Sequence, residues 1–312
     1  IEPPFRSDEV DVKCDSDLIH VTVKKGMRPP YAQRDGGRRF WIRIDHRLRE
    51  MSREEIGKGF AEAFKDEATK KDRVVEIAAE LRKDQASVAL ERPQLWLRLV
   101  PAESLEIDFD EKPTHEQFRT WLMDPSATGN RRSGWTFAHD LRLPDFRVDR
   151  VEHGDIKDYM RTLITKQGRL TFTLGSDNLR QPVGAGLNFA PYALIEYPVS
   201  VFRLMAAILK GHAHVHANLQ VVAGLVISGI RGWSLRPGSP REPARLLGQP
   251  KVFEDKELVI DPEHLKFDAG EIRENPDRCG LRLVRLIYEK FDFKPDAIPP
   301  EFDRTQGRLL LE

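Results

Sequence analysis

The sequence is poor in cysteine. Cys14 and Cys279 are the only two in 312 residues. They are too few and too far apart for a disulfide framework or a zinc knuckle, and they fit a reducing cytoplasm. Long apolar runs are missing as well. No stretch approaches the roughly 18 consecutive apolar residues that a membrane helix needs, and no secretory leader pattern is visible. Net charge is absent, since 50 Lys and Arg balance 50 Asp and Glu. There is no internal repeat, no nucleophile elbow, no Ser-His-Asp motif and no paired-carboxylate signal. Gly175 to Gly186 is a loop containing Gly and Asn, but it lacks the following Lys-Ser/Thr and the strand-to-helix spacing of a phosphate loop. A disulfide scaffold and a helical membrane protein are therefore excluded, and no catalytic motif stands out.

What is present is an ordinary soluble composition, 40% hydrophobic and 32% charged, over a length that suits two domains. The charge is unevenly spread. Between residues 24 and 49 stand Lys24, Lys25, Arg28, Arg34, Arg38, Arg39, Arg43, Arg47 and Arg49, against Asp35 and Asp45 alone. That local excess of seven positive charges, in a chain of zero net charge, attracts phosphate by Coulomb force and counterion release.

The same stretch has a legible local pattern. Ile19, Val21 and Val23 alternate with polar residues, as a half-buried strand does. Asp35-Gly36-Gly37 is turn chemistry, because Gly accepts positive φ at little cost. Phe40, Ile42 and Ile44 alternate again, so Arg39, Trp41 and Arg43 share the other face of a second strand. An aromatic between two guanidinium groups can stack a base while the flanking charges hold phosphates. With Arg28, Arg34 and Arg38 nearby, these six residues form the candidate nucleic-acid interface. The competing reading is that Trp41 packs under a loop and the arginines guard an edge strand. Ser52 and Glu55 then form a capping box, and Ile56, Phe60 and Phe64 make an apolar helical stripe that should lie back on the strands.

These residues carry a resemblance. The strand Val21 to Val23, the segment Arg28-Pro29-Pro30, the aromatic strand Phe40 to Arg43 and the helix opening Ser52 to Glu55 resemble the second half of the Schlafen-type AlbA-like domain. Tyr31 stands where that family has His. The resemblance covers about residues 1 to 66. It implies a bacterial protein that binds nucleic acid or ATP, with a role in transcriptional regulation or antiviral defence. The family's nuclease acids and its nucleotide-linked Gly-Gly segment belong to the first half of the domain, which would precede Ile1. No catalytic residue is carried over and no cofactor is indicated. A chain beginning with Ile reads as part of a longer protein.

Further along, Asp66 to Asp84 reads as a charged amphipathic helix, giving a connector over 67–92 and a domain over 93–312. In that domain Leu95, Leu97 and Leu99 predict a strand. Thr114 and Gln117 predict a capping box ahead of Phe118, Trp121 and Leu122. Arg131 and Arg132 sit in a loop, and Trp135 to Phe137 starts a strand. Tyr159 to Thr165 and Leu170 to Leu174 predict a hairpin around Gln167-Gly168. Pro198 is placed as the first residue of an apolar helix. His212, His214 and His216 alternate with Ala213, Val215 and Ala217, predicting an amphipathic strand. Its first and third histidines are about 13 Å apart, too far to share one ion at bonds of about 2.1 Å. Two of them with an acid from elsewhere could hold one, but no metal site is assigned, and the histidines are read as a polar or partner-facing surface or part of a ligand groove. Asn275 and Pro276 open a last helix.

The expected fold is α+β: part of a Schlafen-like module, then a second α+β domain with mostly antiparallel strands. The expected function is nucleic-acid binding. A nuclease or nucleotide-hydrolysing enzyme with its acids upstream of Ile1 is an alternative. A homo-oligomer or protein-partner scaffold built on residues 93–312 is another.

Overall fold

The computed structural model describes residues 10–15, 18–23, 32–33, 39–44, 47–88, 92–129, 137, 143–155, 160–180, 187–212, 215–235 and 251–294. In the strands before Arg49 it places the backbone, and of the side chains that of Phe40. Two compact units divide the chain, Ile1–Arg73 and Val74–Glu312. The fold is α+β, as the patterning predicts.

In the first unit, β1 (Val10–Asp15) and β2 (Leu18–Val23) form an antiparallel hairpin with Val10 opposite Val23. The alternation at Ile19, Val21 and Val23 predicts β2. Residues 1 to 17 read as a lead-in, yet β1 is a strand, and Val10, Val12 and Cys14 do alternate within it. β3 (Ala32–Gln33), β4 (Arg39–Ile44) and β5 (Arg47–Glu50) make a three-stranded antiparallel sheet. The turn expected at Asp35-Gly36-Gly37 lies outside the described residues.

α1 (Arg53–Ala86) opens on the predicted capping box. The Glu55 N–H donates to Ser52 Oγ at 3.2 Å, and the Ser52 N–H donates to the Glu55 carboxylate at 2.8 Å. The Phe60 ring meets Phe40 edge-on, with centroids 5.9 Å apart. Where two successive helices are expected, there is one helix of 34 residues. No proline interrupts residues 53 to 86, and i,i+4 pairs such as Glu54–Lys58 at 3.4 Å support its exposed side.

The second unit is built on an eight-stranded antiparallel sheet. Its strands are β6 (Gln94–Pro101), β7 (Asp145–Arg147), β8 (Arg150–Asp155), β9 (Met160–Thr165), β10 (Leu170–Gly175), β11 (Gln220–Ser228), β14 (Glu257–Ile260) and β15 (Lys266–Asp268). They run in the order β14-β11-β6-β10-β9-β8-β7, with β15 also paired to β11. β12 (Ser234–Leu235) and β13 (Lys251–Val252) form a separate small pair. The predicted hairpin is β9–β10, with Leu170 opposite Ile164. Gly168 turns it at φ +81°, and a side chain there would strike Leu105.

Helices lie on both faces of the sheet. Leu95, Leu97 and Leu99 of β6 bury against α2 (Lys112–Met123), α4 (Pro191–Gly211) and α6 (Pro276–Lys290) in the main core, to which the short α3 (Ser176–Leu179) and α5 (Ala269–Glu274) add Leu179 and Ile272. On the other face, Val74, Ile77, Ala78 and Leu81 from the end of α1 pack on Val100 and Val222, with Trp96 beside them. Ion pairs Glu80–Arg169, Asp84–Arg98 and Arg82–Asp261 flank that seam. Gln85 is buried and donates from Nε2 to the Leu225 and Ile260 carbonyls at 3.1 and 2.9 Å, bridging β11 and β14. The segment 67–92, expected as a connector, is thus from Val74 onward a covering layer of the second unit. Its spacing of apolar residues by three and four is what a helix needs to lie on a sheet.

Three local expectations are corrected. α2 starts at Lys112 with Pro113 in its first turn and Glu111 as N-cap, so Thr114 lies inside the helix and caps nothing; the fixed φ of Pro113 is ready-made for a first turn. α4 starts at Pro191, which leaves Pro198 in the helix interior. His212 is the C-cap of α4, its Nδ1 donating to the Ile208 carbonyl at 2.8 Å. Turn bonds from Val215 N–H to His212 O and from Leu219 N–H to His216 O follow, and β11 begins only at Gln220. The alternating His pattern therefore falls in a helix end and turns, not on a strand face; His214 lies outside the described residues. Of the strand expected at Trp135 to Phe137, Phe137 alone is described, buried and outside any strand. No helix among the described residues is long and apolar enough to cross a membrane.

Candidate nucleic-acid interface

β4 is the middle strand of its sheet, between β3 and β5. Gln33 stands opposite Arg39 and Ala32 opposite Phe40. Glu50 stands opposite Trp41, Arg49 opposite Ile42, Leu48 opposite Arg43 and Arg47 opposite Ile44. Residues directly opposite in an antiparallel pair occupy the same face. Arg39, Trp41 and Arg43 thus share one face with Gln33, Leu48 and Glu50. Phe40, Ile42 and Ile44 share the other with Ala32, Arg47 and Arg49.

The contact of Phe40 with Phe60 identifies the second of these faces as the one that α1 covers. Arg39, Trp41 and Arg43 hold the positions on the opposite face. The register brings these three together as the alternation predicts. Arg28, Arg34 and Arg38 lie outside the described residues.

The register also redistributes the charge. Arg47 and Arg49 hold positions on the α1 face, so these two arginines are not on the face of Arg39 and Arg43. Arg49 is committed to its own protein: it makes a two-pronged pair with the Glu55 carboxylate, one nitrogen at 2.8 Å. The guanidinium of Arg49 and the Ser52 amide hold the Glu55 carboxyl far below the usual range, at about 2. Glu50, exposed and opposite Trp41, places a negative charge within the candidate face. That face holds two arginine positions with an aromatic position between them, a pattern suited to stacking bases and contacting a few phosphates.

The second unit holds polar groups that linear reading does not single out. Arg203 of α4 and Asp277 of α6 form a two-pronged ion pair beside a cleft, which also takes in Lys210, Glu274 and Arg278. The seven-residue interval from Arg203 to Lys210, with Ala206 and Ala207 between, was the available signal. The loop arginines Arg131 and Arg132 lie outside the described residues. Among the described residues no group of three or more His, Cys, Asp or Glu side chains is placed to hold a metal ion. No family model, curated protein or solved structure matches the chain.

Proposed function

We propose that the chain is a nucleic-acid-binding module and that the face of β4 bearing Arg39, Trp41 and Arg43 is its contact surface. The reading is supported chiefly by one observation, the strand register, which sets these three residues on the face that α1 leaves. Guanidinium groups at Arg39 and Arg43, about 13 Å apart along the strand, pair with phosphates on either side of a base that stacks on the indole of Trp41. Flat stacking favours single strands, whose bases are free to splay. The resemblance of residues 1 to 66 to a Schlafen-type AlbA-like domain points the same way.

The test is charge reversal. Arg39→Glu with Arg43→Glu abolishes binding to single-stranded RNA and DNA at low salt, while circular dichroism is unchanged. Equal affinity of the reversed and native proteins at low and moderate salt contradicts the reading.

A further inference from the structure

α4 is apolar almost throughout, with Val199, Val201, Phe202, Leu204 and Met205 all buried. One stripe breaks that character. Arg203 and Lys210 are seven residues apart, two helical turns, and so share a side of the helix at about 10 Å spacing. The intervening Ala206 and Ala207 leave room between the two long side chains. A half-open cleft of about 580 Å3 results, closed by the turn at Ala127–Gly129 and by the start of α6.

Arg203 forms its floor. Nε and Nη2 donate to the two Asp277 oxygens at 2.6 and 2.7 Å, and Nη1 donates to the Gly129 carbonyl at 2.8 Å. The two side chains retain 14% and 12% of their exposure. A pair this buried gains little over apolar packing of the same volume, but it locks α4, α6 and the turn into one rigid base. At the rim, Lys210 and Arg278 are exposed, and neither has a carboxylate in ion-pair range among the described residues. Glu274 stands at the same rim. The start of α6 offers few amide donors to an anion. Pro276 has no N–H, and the N–H groups of Arg278 and Cys279 both turn to the Asn275 carbonyl, at 3.1 and 3.3 Å. An anion in this cleft is therefore held by side chains.

We propose that the cleft binds a small phosphate monoester. Lys210 and Arg278 take the dianionic phosphate, the lysine as a point charge and the guanidinium by paired donors. The Glu274 carboxylate accepts hydrogen bonds from hydroxyl groups on the remainder of the ligand. The cleft volume lies within the range of small-molecule sites, and the carboxylate at the rim disfavours an extended polyanion. The site uses no residue of the β4 face, so it stands or falls separately from the nucleic-acid reading.

Calorimetric titration of the full chain with ribose 5-phosphate, inorganic phosphate and ribose tests it. Ribose 5-phosphate binds most tightly, inorganic phosphate more weakly, and ribose gives no heat. Lys210→Ala and Arg278→Ala, both at exposed positions, each weaken ribose 5-phosphate binding about tenfold. Glu274→Gln narrows the preference for ribose 5-phosphate over inorganic phosphate. Arg39→Glu with Arg43→Glu changes none of these values. Absence of binding at millimolar ligand, affinity unaffected by Lys210→Ala and Arg278→Ala, or ribose binding as well as its phosphate overturns the proposal.

Discussion

Glu55 does two things with one carboxylate: it closes the capping box of α1 by accepting the Ser52 N–H, and it pairs with Arg49. Its folded value of about 2 lies below the ordinary glutamate value of about 4.3. A group whose value is depressed by folding contributes stability above its unfolded value and loses it as the pH falls through the folded one. The contribution is therefore complete above about pH 5 and gone near pH 2. Glu55→Gln lowers the melting temperature at pH 7, and the difference from the native protein closes in acid; a constant difference across that window excludes this origin. Gln85 illustrates the other kind of polar residue, buried and bonded through its amide nitrogen. Gln85→Ala removes both bonds to the Leu225 and Ile260 carbonyls from a buried site and costs about 1 to 3 kcal/mol in urea unfolding. Neither the bridge by Gln85 nor the Arg49–Glu55 pair is legible in sequence, although the Ser52–Glu55 box is. The box is local, three residues apart, whereas Gln85 reaches carbonyls 140 and 175 residues away.

Elements succeed or fail as readings according to what sets their ends. β6, β9 and β10 alternate cleanly because one face of each is buried under the helices, and they stand where alternation puts them. α2 and α4 have the expected apolar faces but earlier starts, since Pro113 and Pro191 occupy their first turns and outrank Thr114 and Pro198. The histidine run misled because alternation over five residues also arises by chance, and turn bonds compete for the same backbone. The packing of α4 on α6 depends on Gly280, where a Cβ would lie 2.8 Å from the Val199 Cα. Gly280→Ala destabilises by about 1 to 3 kcal/mol, since backbone must move to admit it. An unchanged denaturant midpoint refutes that close approach. At the cleft, Asp277→Ala removes the carboxylate from a mostly buried guanidinium and costs about 3 kcal/mol or more. The double change Arg203→Met with Asp277→Leu costs less than Asp277→Ala alone, an ordering checked by chemical unfolding of the variants.

At the scale of the whole molecule, the α+β class follows from the alternation of strand-like and helix-like stretches. The order of the eight-stranded sheet does not, because β6 pairs with β10 and β11 across long intervals that no local pattern records. The boundary between the units was hidden for a related reason. It falls within a continuous helix, between Arg73 and Val74, where neither a proline nor a composition change marks it. The candidate interface is the reverse: the strand that carries it is legible, while the division of its arginines between two faces needed the pairing register. That division makes the account quantitative. With Arg39 and Arg43 on the proposed contact face and Arg47 and Arg49 on the other, single-stranded binding should depend on the first pair and not the second.

The most direct measurement is the salt dependence of that binding. Plotting the logarithm of the affinity for single-stranded RNA against the logarithm of salt concentration gives a slope of about 0.7 per phosphate neutralised. Replacing Arg39 and Arg43 by Ala should reduce the slope by about 1.4, replacing Arg47 by Ala should leave it unchanged, and Glu50→Gln should raise the affinity. A native protein that does not bind, or a slope unmoved by the loss of Arg39 and Arg43, contradicts the account.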